Sequence, residues 1–81
     1  MRVNIIGIEN VSYINKDGIQ IQGKRINYTY PMSPEMGEGL RIGSDYIGNQ
    51  KIHTPFKLGE YELYFAKSAK GSAYIDGYQE V

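Results

Sequence analysis

One histidine, a Ser-Asp pair and two glutamates spaced two apart are the residues whose types invite acid–base or nucleophilic chemistry. His53 stands beside Thr54-Pro55, and Ser44-Asp45 would have to join it to make a hydrolytic triad. That chemistry needs a nucleophile held on a sharp turn, and the G-x-S-x-G elbow is absent. The phosphate-cradling and dinucleotide-binding glycine patterns are absent as well. A metal centre needs several His, Cys or carboxylate ligands converging, and His53 has no such neighbour nearby in sequence. His53 therefore reads as a loop histidine, and Gly43-Ser44-Asp45 as turn chemistry in which Ser and Asp bond their own backbone. Glu60 and Glu62 alternate with Tyr61 and Leu63, the pattern of a strand with one solvated face. No catalytic residue, metal, cofactor or small-molecule substrate is expected.

Binding chemistry is better represented. Proteins that hold single-stranded nucleic acid combine aromatic rings, on which bases stack, with cations that follow the phosphates. The run Lys24-Arg25-Ile26-Asn27-Tyr28-Thr29-Tyr30 interleaves both on one segment. Lys16 sits at the turn beside it, and Lys67 and Lys70 lie near the tip of a later hairpin. The expected nucleic-acid-binding residues are Lys16, Lys24, Arg25, Tyr28, Tyr30, Lys67 and Lys70, with Tyr28 and Tyr30 as the stacking rings.

These residues must be carried by strands. Apolar residues at helical spacing do not persist over 11 or more positions, and ten glycines and three prolines interrupt the chain. Five strand signals appear instead. The first, Arg2 to Asn15, changes phase between Ile5 and Ile6 and again after Ile8, which predicts bends or bulges. Lys16-Asp17-Gly18 is a hairpin turn. The second run, Ile19 to Tyr30, switches parity around Gly23, where a further bulge is expected. Pro31 to Gly37 is a loop, and Glu38 to Ile47 is the third run. Lys57-Leu58-Gly59 turns into a fourth strand in which Tyr61, Leu63 and Phe65 alternate with Glu62 and Tyr64. The segment 67–72 then links it to a last strand around Tyr74-Ile75-Asp76-Gly77-Tyr78. Bent strands in so short a chain predict an all-β domain over residues 1–81, a small five-stranded barrel of the OB or SH3-like kind.

Composition sets the bounds. An 81-residue domain buries only roughly 60–65% of its unfolded surface. There are no cysteines to staple it, so a partner subunit is the expected source of further stability, and a homodimer is predicted. The cysteine-free composition suits a reducing compartment. The polar opening Met1-Arg2-Val3-Asn4 and the lack of a long apolar run predict a cytoplasmic protein without a membrane span. Nine Lys+Arg balance nine Asp+Glu, which excludes a strongly basic binder but not one with a basic face. Eight tyrosines and no tryptophan suit half-wet sheet surfaces.

From Lys16-Asp17-Gly18 through Gln22-Gly23-Lys24, the chain resembles the gene V family of single-stranded-DNA-binding proteins from filamentous phages. Leu58-Gly59-Glu60-Tyr61-Glu62-Leu63 is similar to the start of that family's fourth strand, and Lys70-Gly71-Ser72-Ala73-Tyr74-Ile75-Asp76 to its last hairpin. The opening, Val3 to Tyr13, is also similar to small phage and plasmid proteins grouped near it. The resemblance implies an OB-type barrel, a two-fold dimer and largely sequence-independent coating of single-stranded DNA during replication. It implies phosphate contacts for Lys16 and Lys24 and a base-facing ring for Tyr28. Ile21 stands where the family has a second basic residue, Ile26 where it has an aromatic, and Lys70 replaces an aromatic. A competing expectation from another class is a small β-barrel interaction module that docks on a host or phage protein through an exposed edge or tyrosine patch.

Overall fold

A computed structural model describes residues Met1–Val81. Five strands form one antiparallel sheet: β1 (Arg2–Ile14), β2 (Gln20–Pro31), β3 (Leu40–Gly48), β4 (Gly59–Lys67) and β5 (Ala73–Glu80). A single 3-10 turn, Asn49–Lys51, follows β3. In space the strands run β3-β2-β1-β4-β5. The all-β expectation holds, and no helix is long and apolar enough to cross a membrane.

The sheet does not close. β3 and β5 have no ladder between them, so the expected closed barrel is replaced by a sheet with two free edges. Those edges still come together at one place, where the Lys51 ammonium lies 4.3 Å from the centre of the Tyr74 ring. The sheet is therefore strongly curled and open along a seam.

Side chains on the inner face make the core: Val3, Ile5, Ile26, Tyr28, Ile47, Tyr61, Leu63, Ile75 and Tyr78. Cross-strand pairs explain it. Val3 opposes Tyr61, Ile5 opposes Tyr28, and Leu63 opposes Tyr78, so alternate residues meet on one side of the pleat. Beyond the strands, the connector between β3 and β4 covers one side of the core. His53 stacks on Tyr78 at 4.4 Å, and Phe56 lies 4.2 Å from the same ring. The Tyr78 hydroxyl donates to the Thr54 carbonyl at 2.6 Å and accepts from the Thr54 N–H at 3.0 Å.

The phase change after Ile5 is a bulge, since Ile5 pairs with Tyr28 but Gly7 pairs with Asn27. The expected second change after Ile8 is not one. The ladder runs unbroken from Gly7 to Ile14, and Val11 and Tyr13 simply lie on the outer face. Nor does β2 bulge at Gly23. A Cβ there would meet the Ile47 carbonyl at 2.4 Å and the Tyr46 ring at 2.7 Å, so glycine is required by close packing. An unforeseen bulge lies in β5, where Tyr64 pairs with Gly77 but Phe65 pairs with Ile75.

Both strand-connecting hairpins are as expected. Gly18 takes φ +77°, and the Asn15 side chain accepts from the Asp17 and Ile19 N–H groups. This hairpin extends past the end of β3, since Ser12–Ile14 and Gln20–Gln22 pair only with each other. The β4–β5 turn is closed by Gly71 at φ +87°.

Candidate nucleic-acid interface

Strand parity decides which of the expected binding residues face water. In β2 the inward positions are Ile26, Tyr28 and Tyr30, and the outward ones are Arg25, Asn27 and Thr29. Tyr28 is only 4% exposed. Its ring covers Gly43, where a Cβ would clash at 2.5 Å, and its hydroxyl donates to Asp45 Oδ2 at 2.5 Å. Burial, together with the carboxylate beside it, pushes the Tyr28 hydroxyl well above the ordinary tyrosine range. The expectation that Tyr28 offers a face to a base is thus overturned: the ring is a core element. Tyr30 points the same way, half-buried, 6.1 Å from Tyr28. It lines a cleft of about 450 Å³ with Arg2, Thr29, Leu40 and Glu60, apart from the expected cations.

Those cations do not form one cluster either. Lys24 lies on the inward side of β2, half-buried, and its ammonium donates to Asn10 Oδ1. Arg25, the next residue, is exposed on the outer face opposite Tyr46. Lys16 is exposed at the tip of the β1–β2 hairpin, Lys67 ends β4, and Lys70 lies in the β4–β5 turn.

A different set of rings does face solvent beside cations. Tyr46, Lys51 and Tyr74 line one groove of about 200 Å³ at the seam, with Gln50 and the edges of Ile47, Gly48 and Ile75. No acidic residue lines it. Tyr46 keeps 38% and Tyr74 36% of their surface in water, so each has ring surface free for a flat ligand. Tyr46 is held in place from below: its ring lies over Gly23, and its hydroxyl donates to the Gln22 carbonyl at 3.2 Å. Tyr74 is held by the Lys51 ammonium over its face, a cation–π contact worth about 0.5–1 kcal/mol at an exposed site.

The fold brings Arg25 to one bank of this groove, where it pairs across the ladder with Tyr46 on the same face. On the other bank Tyr74 pairs with Ala66, whereas Lys67, opposite Ala73, has the parity of the inward Leu63 and Phe65 and lies on the other face of β4. Lys70 is in the turn beyond. None of Arg25, Lys51, Lys67 and Lys70 has a carboxylate within ion-pair distance; the side-chain ion pairs of the chain are Arg2 with Glu60 and with Glu62. Lys16 projects on the long hairpin past the same end of β3.

Sequence reasoning missed Tyr46, Lys51 and Tyr74. Tyr46 was concealed because it shares parity with Leu40 and Ile42, an apolar alternation that reads as a buried face, whereas all three are exposed. Nothing in the sequence shows that the 3-10 turn after β3 sets Lys51 against β5.

The residues weighed for catalysis are placed elsewhere. His53 stacks on Tyr78 with its Nδ1 3.1 Å from Thr54 Oγ1, and Asp45 is bonded to Tyr28. Ser44 is on the opposite face of β3 from Asp45. No family model, curated protein or solved structure matches the chain.

Proposed function

We propose that this domain binds single-stranded DNA without catalysing a reaction, and that its sheet is an OB-type barrel opened between β3 and β5. Barrels of that type hold oligonucleotides on the face of strands 2 and 3, between the loops joining strands 1–2 and 4–5. Here that face carries Arg25 and Tyr46, and those loops carry Lys16 and Lys70. The observation that carries the reading is the seam groove: two half-exposed tyrosines beside Lys51, lined by no acid. Bases stack on Tyr46 and Tyr74, while Arg25, Lys51 and Lys70 take the phosphates. Backbone contacts and stacking do not distinguish one base sequence from another, so binding is sequence-tolerant. Such a domain coats single strands exposed during replication.

Fluorescence anisotropy of labelled oligo-dT tests the proposal. Neutralising about three to four phosphates on a single strand gives a log K against log [salt] slope of roughly −2 to −3. Saturable binding with that slope supports the reading. Absence of binding at low salt overturns it.

A further inference from the structure

The outer edge of β3 is the one place where the sheet leaves a long strand without any device against pairing. β3 carries no partner beyond β2, and the β2–β3 ladder has no register shift from Pro31–Leu40 to Gly23–Gly48. By contrast β1 is bulged after Ile5 and β5 opposite Tyr64. An edge strand presents alternate unpaired N–H and C=O groups, and natural edges are blunted by lysine, proline or bulges. Between Leu40 and Tyr46 there is no lysine and no proline. Leu40 and Ile42 are 63% and 77% exposed on its outer side.

We infer that this edge pairs with a second copy of the chain, antiparallel, about a two-fold axis beside Gly43. The sequence of the strand is self-complementary about that residue. With Gly43 opposite its own copy, Arg41 falls opposite Asp45 of the partner subunit, and Asp45 opposite the partner's Arg41. These residues share the inner face of β3 with Gly43 and have no ion-pair partner within the chain. On the outer face Ile42 meets the partner's Ser44, and Leu40 meets the partner's Tyr46. Opposite charges directly across an antiparallel pair are stabilising, and like charges destabilising. A shift of the axis by one residue either way sets Arg41 against the partner's Gly43 or the partner's Ile47 and loses both charge pairs. Gly43 itself suits the axis: the Tyr28 ring leaves no room for a side chain there, so the strands meet without obstruction. This assigns a surface to the dimer that the small core calls for, and it does not depend on DNA binding.

Sedimentation velocity without nucleic acid tests it. The unmodified chain sediments as a dimer, and Arg41→Lys leaves it so. Arg41→Asp makes both cross-axis pairs repulsive and weakens the dimer by on the order of tenfold to a hundredfold, with an unchanged circular dichroism spectrum because Arg41 is exposed. Asp45→Arg, checked for folding by circular dichroism because Asp45 also accepts from the Tyr28 hydroxyl, weakens the dimer in the same way, and an equimolar mixture of the Arg41→Asp and Asp45→Arg proteins restores a heterodimer. A monomeric unmodified chain overturns the inference. So does a dimer that Arg41→Asp leaves intact.

Discussion

Replacing Tyr74 by alanine separates the seam groove from the strand that the sequence first suggests. Tyr74 is exposed to 36%, and its ring carries the Lys51 ammonium; it makes no hydrogen bond through its hydroxyl that the core depends on. A base stacked on an aromatic side chain is worth about 1–3 kcal/mol by alanine substitution, which corresponds to roughly a 5- to 150-fold rise in Kd. Tyr74→Ala therefore weakens oligo-dT binding by that factor, while the salt slope stays put because no cation is lost. Lys51→Ala does the reverse in kind, shallowing the slope by about 0.7. Tyr28→Phe is the control, since the buried ring is kept and only a hydroxyl facing Asp45 is removed. Anisotropy titrations at three or more salt concentrations give both quantities. Equal affinity of Tyr74→Ala and the unmodified chain, with weakened binding by Tyr28→Phe, would refute the placement of the site.

The Tyr28–Asp45 bond also makes predictions about stability. A hydrogen bond to a charged acceptor contributes about 1.5–3 kcal/mol; Asp45 is half-buried and regains water when Tyr28→Phe removes its partner, so urea unfolding shows a loss near the lower figure. Alkaline titration reads the same burial. The Tyr28 hydroxyl is raised by burial, then by Asp45, and the Tyr61 hydroxyl is raised chiefly by burial against an opposing bond from the Lys57 N–H. In the unfolded chain both ionise near 10.0, so the stability linked to their neutral forms is complete below that pH. It declines as pH rises through and beyond it, because the unfolded state then releases protons that the folded state keeps. Tyrosinate absorbance and circular dichroism followed together show these two rings ionising only as the sheet unfolds.

Strand existence was legible from the chain because hydrophobic alternation and turn glycines act locally. Tyr61 and Leu63 point inward as their spacing requires, and Asn15 to Ile19 forms its hairpin from its own side chains. Which face of β2 is the core was not legible. Ile26, Tyr28 and Tyr30 share a parity that suits a buried stripe as well as an exposed aromatic ladder, and a tyrosine satisfies both because its hydroxyl can be bonded inside. The deciding partners, Gly43 and Asp45, lie 15 and 17 residues away on β3. Gly23 misled for a related reason. Glycine in a strand signals either a bulge or close approach, and the Tyr46 ring that makes it the latter comes from the neighbouring strand. The seam itself depends on how far the sheet curls, which is a property of all five strands and has no local signature.

A net charge of zero would defeat a binder that relied on a diffuse field, yet the arrangement of charge here asks little of such a field. The acids of β4 are Glu60 and Glu62, and both are engaged by Arg2 at 3.5 and 3.6 Å. The Met1 α-ammonium bonded to Glu62, with Arg2 beside it, holds that carboxyl below the usual carboxylate range. Glu62 is five positions from Lys67 on β4, about 17 Å along a strand. That exceeds the Debye length of about 8 Å at physiological ionic strength, so the patch is not felt at the groove. Two carboxylates face two cations in that patch, the Met1 α-ammonium and Arg2, so its net charge is zero and it does not repel phosphates even at about 0.01 M salt, where the Debye length reaches roughly 30 Å. The log K against log [salt] plot should therefore stay straight from physiological salt down to about 0.01 M. Glu60→Gln with Glu62→Gln leaves both cations unmatched and should tighten binding at about 0.01 M while leaving affinity at physiological salt unchanged. A double variant that binds no tighter at that low salt would mean that the strand does not pass within reach of β4.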